Sequence, residues 1–508
     1  MKKSIFLLVI FLLGSIPALA QSVDTAWVRI YNGPASALDS AYALAVDGSG
    51  NVYVTGVSYS YQTVWDYATV KYYSNGDTAW VRRYNGPGTE WDFARALAVD
   101  ESGNVYVTGF SYGEWTGSDY ATIKYFSNGD TAWVRRYNGP GDYEDEVRAV
   151  AVDGSGNVYV TGYSYGDGTG SDYATIKYYS NGDTAWLRRY TSPGGYWDEA
   201  YALAVDGSGN VYVTGYSYVE GLGADYATIK YYPNGDTAWL RIYAWQEGYP
   251  DEAYALTVDG SGNVYVTGMS FNDYATIKYY PNGDTAWVRR YNGPGNDYDA
   301  AVALTVDESG NVYVTGETDS SGISDYATIK YYSNGDTAWV RRYNGPGNSN
   351  DYAYAIAVDG YGNVYVTGGT DSSGTSDYAT IKYYPNGDTA WVTRYNGPGN
   401  SFDWATDLAL DDSGNIYLTG NSYRSGAVYD YATIKYVPLE FLCGDGNGDW
   451  EINLADPICL ANHYFGKPCE INRFAADVNC DHLNNLGDAI IIANYYFGKP
   501  GFELNCCP

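Results

Sequence analysis

Short runs of alternating apolar and polar positions recur along most of the chain, each closed by a glycine-rich turn. One unit holds four such runs: AYALAVD (41–47), NVYVTG (51–56), YATVKYY (67–73) and DTAWVRRY (77–84). Period-two alternation over four to eight residues, rich in β-branched and aromatic side chains, predicts strands. The first two runs are joined through GSG. The last two are joined at SNGD, where Asn-Gly predicts a type I′ hairpin turn. In the first run, Ala41, Ala43 and Ala45 are expected on one face and Tyr42, Leu44 and Val46 on the other. The unit has no 3.6-residue apolar period, which excludes a helical solenoid.

The unit repeats. NVYVTG begins at 51, 104, 157, 210, 263, 311 and 363 and returns as NIYLTG at 415, giving eight copies spaced by 53, 53, 53, 53, 48, 52 and 52 residues. Four antiparallel strands in each of eight units predict an all-β, eight-bladed β-propeller over residues 22–436. A linear β-array is the alternative, but it would leave two apolar ends uncapped. The eight Trp of the DTAW runs are expected to pack as an outer belt between blades.

The repeat has one irregularity. SVDTAWVRIYNG (22–33) follows no third strand, and after the eighth YATIKY, ending at Tyr436, no DTAW run follows. The N-terminal strand, Asp24–Tyr31, is therefore predicted to complete blade eight beside 431–436, which removes an open sheet edge. The repeat motif D-x-x-G-N-V-Y-V-T-G resembles that of secreted bacterial β-propeller repeat proteins. The resemblance implies the fold and says almost nothing about activity. Members are often described as seven-bladed, and the count here is eight.

Residues 1–20 read as a signal peptide: Lys2 and Lys3, an apolar stretch too short to span a bilayer, and ALA before Gln21. Export to the cell surface or beyond is the expected localisation. The chain carries 60 acidic and 29 basic residues, a net charge of −31 that becomes −33 without Lys2 and Lys3. Such a surface repels nucleic acid and anionic membranes.

All six cysteines and both histidines lie at 443 and beyond. The propeller therefore has no Ser-His-Asp, Cys-His or His-rich zinc chemistry. What remains are aspartates repeated just before each first strand (Asp39 to Asp403) and just before each third strand (Asp66 to Asp430). An eightfold ring is expected to be structural, capping backbone N–H groups or pairing with Lys71-type or Arg82-type cations. The alternatives are cation binding, or a carboxylate pair for glycoside cleavage. Asp47, Gly48 and Asn51 read as an Asx-type turn. Departures from the repeat are more informative. Trp65, Trp91, Trp115, Trp197, Trp245 and Trp404 fall outside the DTAW register and are assigned to variable-face loops. They are candidate stacking platforms for sugar rings, against the alternative that the loops pack on themselves.

After a linker at 437–442 the composition changes. DGNGDWEINLAD places Asp445, Asn447, Asp449, Asn453 and Asp456 at calcium-loop positions 1, 3, 5, 9 and 12, with the Glu451 carbonyl at 7. DVNCDHLNNLGD repeats this with Asp477, Asn479, Asp481, Leu483, Asn485 and Asp488. Trp450 and His482 stand where such a loop ordinarily has Gly. Each loop leads into an apolar helical stretch, and the two units lie 32 residues apart. Residues 443–508 resemble a type I dockerin. The resemblance implies Ca2+ as cofactor and a cohesin-type partner. The implied partner-binding residues are Leu454, Ala455, Ala461 and Asn462, and in the second unit Leu486, Gly487, Ala493 and Asn494. Six cysteines in an exported module of this size predict three disulfides whose pairing stays open.

The expectation is an exported, non-catalytic binding or display propeller anchored through the C-terminal module, its variable face recognising polysaccharide or protein. The alternatives are a glycosidase or lyase using loop carboxylates, and a surface-layer or fibre subunit.

Overall fold

The computed structural model describes residues 23–438, apart from 89, 115, 222, 247, 373 and 425–427, together with 455–464 and 486–497. Within them, thirty-two strands form eight separate four-stranded antiparallel sheets. Blades one to seven span 39–84, 92–137, 145–190, 198–243, 251–291, 299–343 and 351–395. Blade eight combines Asp403–Leu410, Ile416–Arg424 and Val428–Pro438 with the N-terminal strand Val23–Tyr31. Val23 lies opposite Pro438 and Tyr31 opposite Tyr431, so the ring closes with chain from both ends. Pairing continues through Pro438, past the boundary that the repeat pattern put at 436.

The first strands of consecutive blades touch one another around the ring and surround the central channel. Packing lies between blades. Tyr53, Tyr67 and Trp80 of blade one share a core with Ala94, Val105, Val107, Ala121 and Ile123 of blade two, and this arrangement recurs around the ring. Tyr67 is buried and its hydroxyl donates to the Ala121 carbonyl at 3.2 Å. Its counterpart Tyr431 does the same to Ala68 across the closure. The predicted Trp belt is present: Trp80 packs against Tyr125 at 6.0 Å and its indole donates to Ser127 O at 3.2 Å.

Two details differ from the alternation read in sequence. Ala41 pairs with Gly56 and Ala43 with Thr55, so Tyr42 is an extra, bulged residue. The bulge turns Ala41, Leu44 and Val46 into one core and frees Tyr42 for the channel wall. The same bulge occurs in the first strand of all eight blades. The SNGD turn is not type I′, because Gly76 has φ +88° and Asn75 is not in the left-handed region. Gly76 N–H donates to Tyr73 O at 2.8 Å, which makes a type I turn with a glycine bulge. Asn75 acts through its side chain, which accepts from Asp77 N–H and donates to the Asp77 carboxylate, both at 2.9 Å.

Two helices follow, α1 (Ala455–Tyr464) and α2 (Leu486–Tyr496). They contact each other, with Leu460 and Ile492 fully buried. Asp456 and Asp488 lie in α1 and α2, as do Ala455, Ala461, Asn462, Leu486, Gly487, Ala493 and Asn494. The remaining calcium-loop residues, Asp445, Asn447, Asp449, Glu451, Asn453, Asp477, Asn479, Asp481, Leu483 and Asn485, lie outside the described residues, as do Leu454, the signal peptide and every cysteine but Cys459.

Candidate functional site

The repeated carboxylates are occupied by the fold. Each aspartate at the start of a first strand accepts a backbone N–H from the connection before it, as Asp39 does from Gly33 at 2.6 Å and Asp403 from Gly397 at 2.8 Å. Five of the eight third-strand aspartates pair with the second arginine of the RR run: Asp66 with Arg83 at 2.6 Å, and likewise Asp119, Asp172, Asp273 and Asp325 with Arg136, Arg189, Arg290 and Arg342, while Asp430 pairs with Arg424 at 3.1 Å. In those five the cation is thus the second arginine of the RR pair, not Lys71 or Arg82. Strand alternation explains the difference. Arg82 shares a face with Trp80 and bonds Gly129 O of the next blade at 2.5 Å, while Lys71 reaches Ser127 O at 3.2 Å.

On the opposite, invariant face the Asx turn is confirmed. Asp47 accepts from Asn51 N–H at 2.9 Å and from the Tyr53 hydroxyl at 2.9 Å. Burial pushes the Asp47 carboxyl up, but the bonds from Asn51 and Tyr53 outweigh it and hold the group below its usual range. Polar grooves of about 410–480 Å³ open between blades on this face, lined by these same turns.

Differences between blades concentrate on the variable face. Trp91, Trp197 and Trp245 lie in the connections that follow a blade's last strand, and each is about half exposed. Trp65 and Trp404 are not in loops; they occupy a third and a first strand and are half-buried. Trp115 lies outside the described residues. Trp65 and Trp91 are brought together by a parallel bridge. They join a continuous aromatic patch: Tyr59 on Trp65 at 5.3 Å, Trp65 on Phe93 at 5.9 Å and Trp91 on Tyr112 at 6.2 Å. The other tryptophans stand apart. Trp197 leans on Tyr218 at 5.8 Å, Arg290 caps Trp245 at 4.3 Å and Trp404 meets Tyr429 at 5.1 Å.

Sequence reading missed the channel mouth. The bulged position carries Tyr42, Arg95, Arg148, Tyr201, Tyr254, Val302, Tyr354 and Thr406 in blades one to eight. Five of them touch a neighbour across blades: Arg95 lies over the Tyr42 ring at 5.2 Å, Arg148 over Tyr201 at 5.9 Å, and Tyr201 packs on Tyr254 at 5.8 Å. Two residues earlier, blades three, four and five carry Glu146, Glu199 and Glu252. Glu146 pairs with Arg148 at 3.2 Å, and Glu252 accepts from Tyr254 at 3.0 Å. Burial raises the Glu199 carboxyl, with bonds from Tyr216 and Tyr201 opposing it. The signal was present in sequence. These are the two positions of the first strand that vary most among otherwise near-identical repeats, yet regular alternation gave them no common destination.

The β-propeller repeat model named SBBP matches seven stretches, 26–61, 79–114, 132–168, 186–223, 286–323, 338–374 and 390–424, together about half of the chain. The chain belongs to the SBBP β-propeller repeat family. Each matched stretch of this SBBP protein runs from the last strand of one blade into the next blade. The eighth counterpart, after Thr237–Tyr243, is the one where the second-to-third strand connection shrinks to Phe271 and Asn272. A curated relative, the "Regulatory protein FlaEY" of Caulobacter vibrioides, is 32% identical over 116 residues, covering 20% of this chain and 12% of its own length. Among solved structures, Chaetomium thermophilum Sqt1 bound to the N-terminus of ribosomal protein L10 aligns with TM-score 0.53 and 11% identity, covering 82% of this chain and all of Sqt1. Sqt1 alone aligns with TM-score 0.51, again at 11% identity. At such identity the likeness is one of fold.

Proposed function

We propose that this SBBP propeller is an exported, non-catalytic binding and display module whose variable face recognises polysaccharide. The observation that carries the reading is the division between the two kinds of position. The first-strand carboxylates cap backbone N–H groups and most third-strand ones pair with arginine, while blade-to-blade variation gathers at the channel mouth and in loops bearing half-exposed Trp91, Trp197 and Trp245. Half-exposed aromatic side chains suit stacking against sugar rings, with the Glu and Tyr groups as hydrogen-bonding partners.

The C-terminal residues serve in this proposal as a calcium-dependent dockerin that anchors the propeller to a cohesin-type domain. Support comes from two helices, each preceded by an Asp/Asn-rich loop sequence. Ile458 and Ile490, at equivalent places in α1 and α2, are both 58% exposed and suit a docking surface usable in two orientations.

The test is retention of the full chain on insoluble plant and microbial polysaccharides, with reducing ends measured in parallel. Retention without new reducing ends, weakened by Trp91→Ala and Trp197→Ala, supports the reading. New reducing ends would replace it with a glycosidase or lyase. Capture on immobilised cohesin domains that is lost with a calcium chelator tests the anchor.

A further inference from the structure

We propose that the channel mouth over blades one and two binds a carboxylate-bearing sugar, with Arg95 pairing the carboxylate. This rests on the polysaccharide reading above and narrows it. Among the described residues, Arg95 is the arginine with neither an ion pair nor a hydrogen bond, and its Nε is buried without a partner. Every other described arginine is engaged. The Arg82 series bonds carbonyls of the next blade, the Arg83 series chiefly pairs with aspartate, and Arg148, in the same place of blade three, pairs with Glu146 at 3.2 Å. This occurs in a chain with 60 acidic and only 29 basic residues, where an unpaired guanidinium is the least expected outcome.

The group is held rather than loose. Its Cζ lies 5.2 Å from the Tyr42 ring centre, 5.6 Å from Phe93 and 5.4 Å from Phe110, and the two phenylalanines stack at 5.1 Å. Aromatic faces fix the guanidinium plane and supply no acceptor for its N–H groups. Leaving the Nε donor unpaired costs stability, and a ligand acceptor relieves it. A carboxylate matches the guanidinium fork through two parallel bonds. Phe93 also touches Trp91, at 6.3 Å, and Trp91 is 50% exposed, so a flat apolar face lies one ring beyond the cation. A pyranose ring bearing a carboxylate presents both complements together. Glu146 and Glu199 on the following blades oppose a dianion more than a monoanion, which favours carboxylate over phosphate.

The experiment is calorimetric titration of the full-length protein with a hexuronic acid oligomer and with the same oligomer reduced to its neutral hexose form. The uronic form is expected to bind at least about 10-fold more tightly. Arg95→Gln is expected to erase that ratio while leaving the neutral oligomer bound and the protein folded, as judged by a cooperative melt, and Arg95→Lys to keep part of it. Equal binding of both oligomers, or a ratio that survives Arg95→Gln, overturns the inference and leaves the polysaccharide reading intact. Binding of neither oligomer nor any other glycan overturns both. Arg95-dependent binding of a peptide through its C-terminal carboxylate, with no uronic preference, overturns the sugar assignment.

Discussion

The indole N–H of Trp27 donates to the carbonyl oxygen of Ser74 at 3.1 Å, so a strand from the start of the chain holds the turn of blade one. Arg29 adds a bond to Gly76 O at 2.5 Å. The N-terminal strand therefore completes one sheet and seals the interface to the next. Deleting residues 22–33 removes roughly five ladder bonds at about 1 kcal/mol each and about 2–3 kcal/mol of Trp27 burial. Denaturant unfolding should show a large fall in midpoint, and Trp27→Ala alone a loss of about 3–5 kcal/mol. A truncation that unfolds like the parent would show that closure contributes nothing to stability.

Gly76 illustrates why the turn sequence barely changes. Its φ of +88° already favours glycine, and a Cβ there would stand 2.8 Å from Trp27 Cγ. Gly76→Ala is expected to cost about 2–4 kcal/mol, combining left-handed strain with displacement of the indole. Gly48, in the neighbouring turn, has open space around its Cβ position and no positive φ. Gly48→Ala should stay within about 0.5 kcal/mol of the parent, or gain slightly. Equal effects at the two sites would refute the assigned role of the Trp belt.

Much of the fold could be read from the chain because an eightfold repeat averages away local ambiguity. The strands, the blade count and the closing role of Asp24–Tyr31 all follow from where NVYVTG, YATIKY and DTAW begin and end. The errors arose where pairing inserts one extra residue. The bulge at Tyr42 breaks the alternation on which the face assignment rested, and it sends the most variable position of the strand into the channel. The misassigned arginine partner has a related origin: which of Arg82 and Arg83 faces Asp66 depends on registration across the bulged pairing at Lys71 and Tyr72. Loop tryptophans were legible as departures. Their contacts were not, because Trp65 and Trp91 meet only when two blades are placed side by side.

Blade four offers a gain-of-stability test. Its third-strand carboxylate, Asp225, is buried, yet the position held by Arg83, Arg136 and Arg189 in blades one to three is Ile242, 48% exposed. Burial, with Asp251 nearby, pushes the Asp225 carboxyl up to about 6. Ile242→Arg should restore the pair, lower the Asp225 titration midpoint in carboxyl-resolved NMR and stabilise the protein by about 1–2 kcal/mol at neutral pH. The reverse change in blade three, Arg189→Ile, strands Asp172 and should cost about 3 kcal/mol or more. If Ile242→Arg leaves the Asp225 midpoint near 6, the arginine does not reach the carboxylate.

Two sets of carboxylates with opposite shifts set the pH range in which the propeller is most stable. Asp92, Asp145, Asp225, Asp407 and Asp430 are each raised to about 6, chiefly by burial. A carboxyl raised on folding favours the folded state while it is protonated. Its contribution is full below the unfolded value near 3.9 and is lost as pH rises through 6. The Asp47 series, including Asp100, Asp153, Asp206 and Asp411, is lowered: burial pushes each up, and the Asn and Tyr hydrogen bonds prevail. Those groups contribute above about 3.9 and lose their contribution as pH falls through their depressed values. Stability should therefore peak near pH 4, where both sets contribute, and decline as pH rises from about 4 through 6, before any effect of the net charge of −31 is added. Asp407 isolates the effect, because it stands where the other seven blades have alanine and accepts the Leu44 N–H at 2.7 Å across the ring closure. Asp407→Asn keeps that acceptor without the charge. Its melting temperature should match the parent near pH 4 and exceed it at pH 7.5, with the gap opening through pH 6. A gap independent of pH would remove Asp407 from the titrating set.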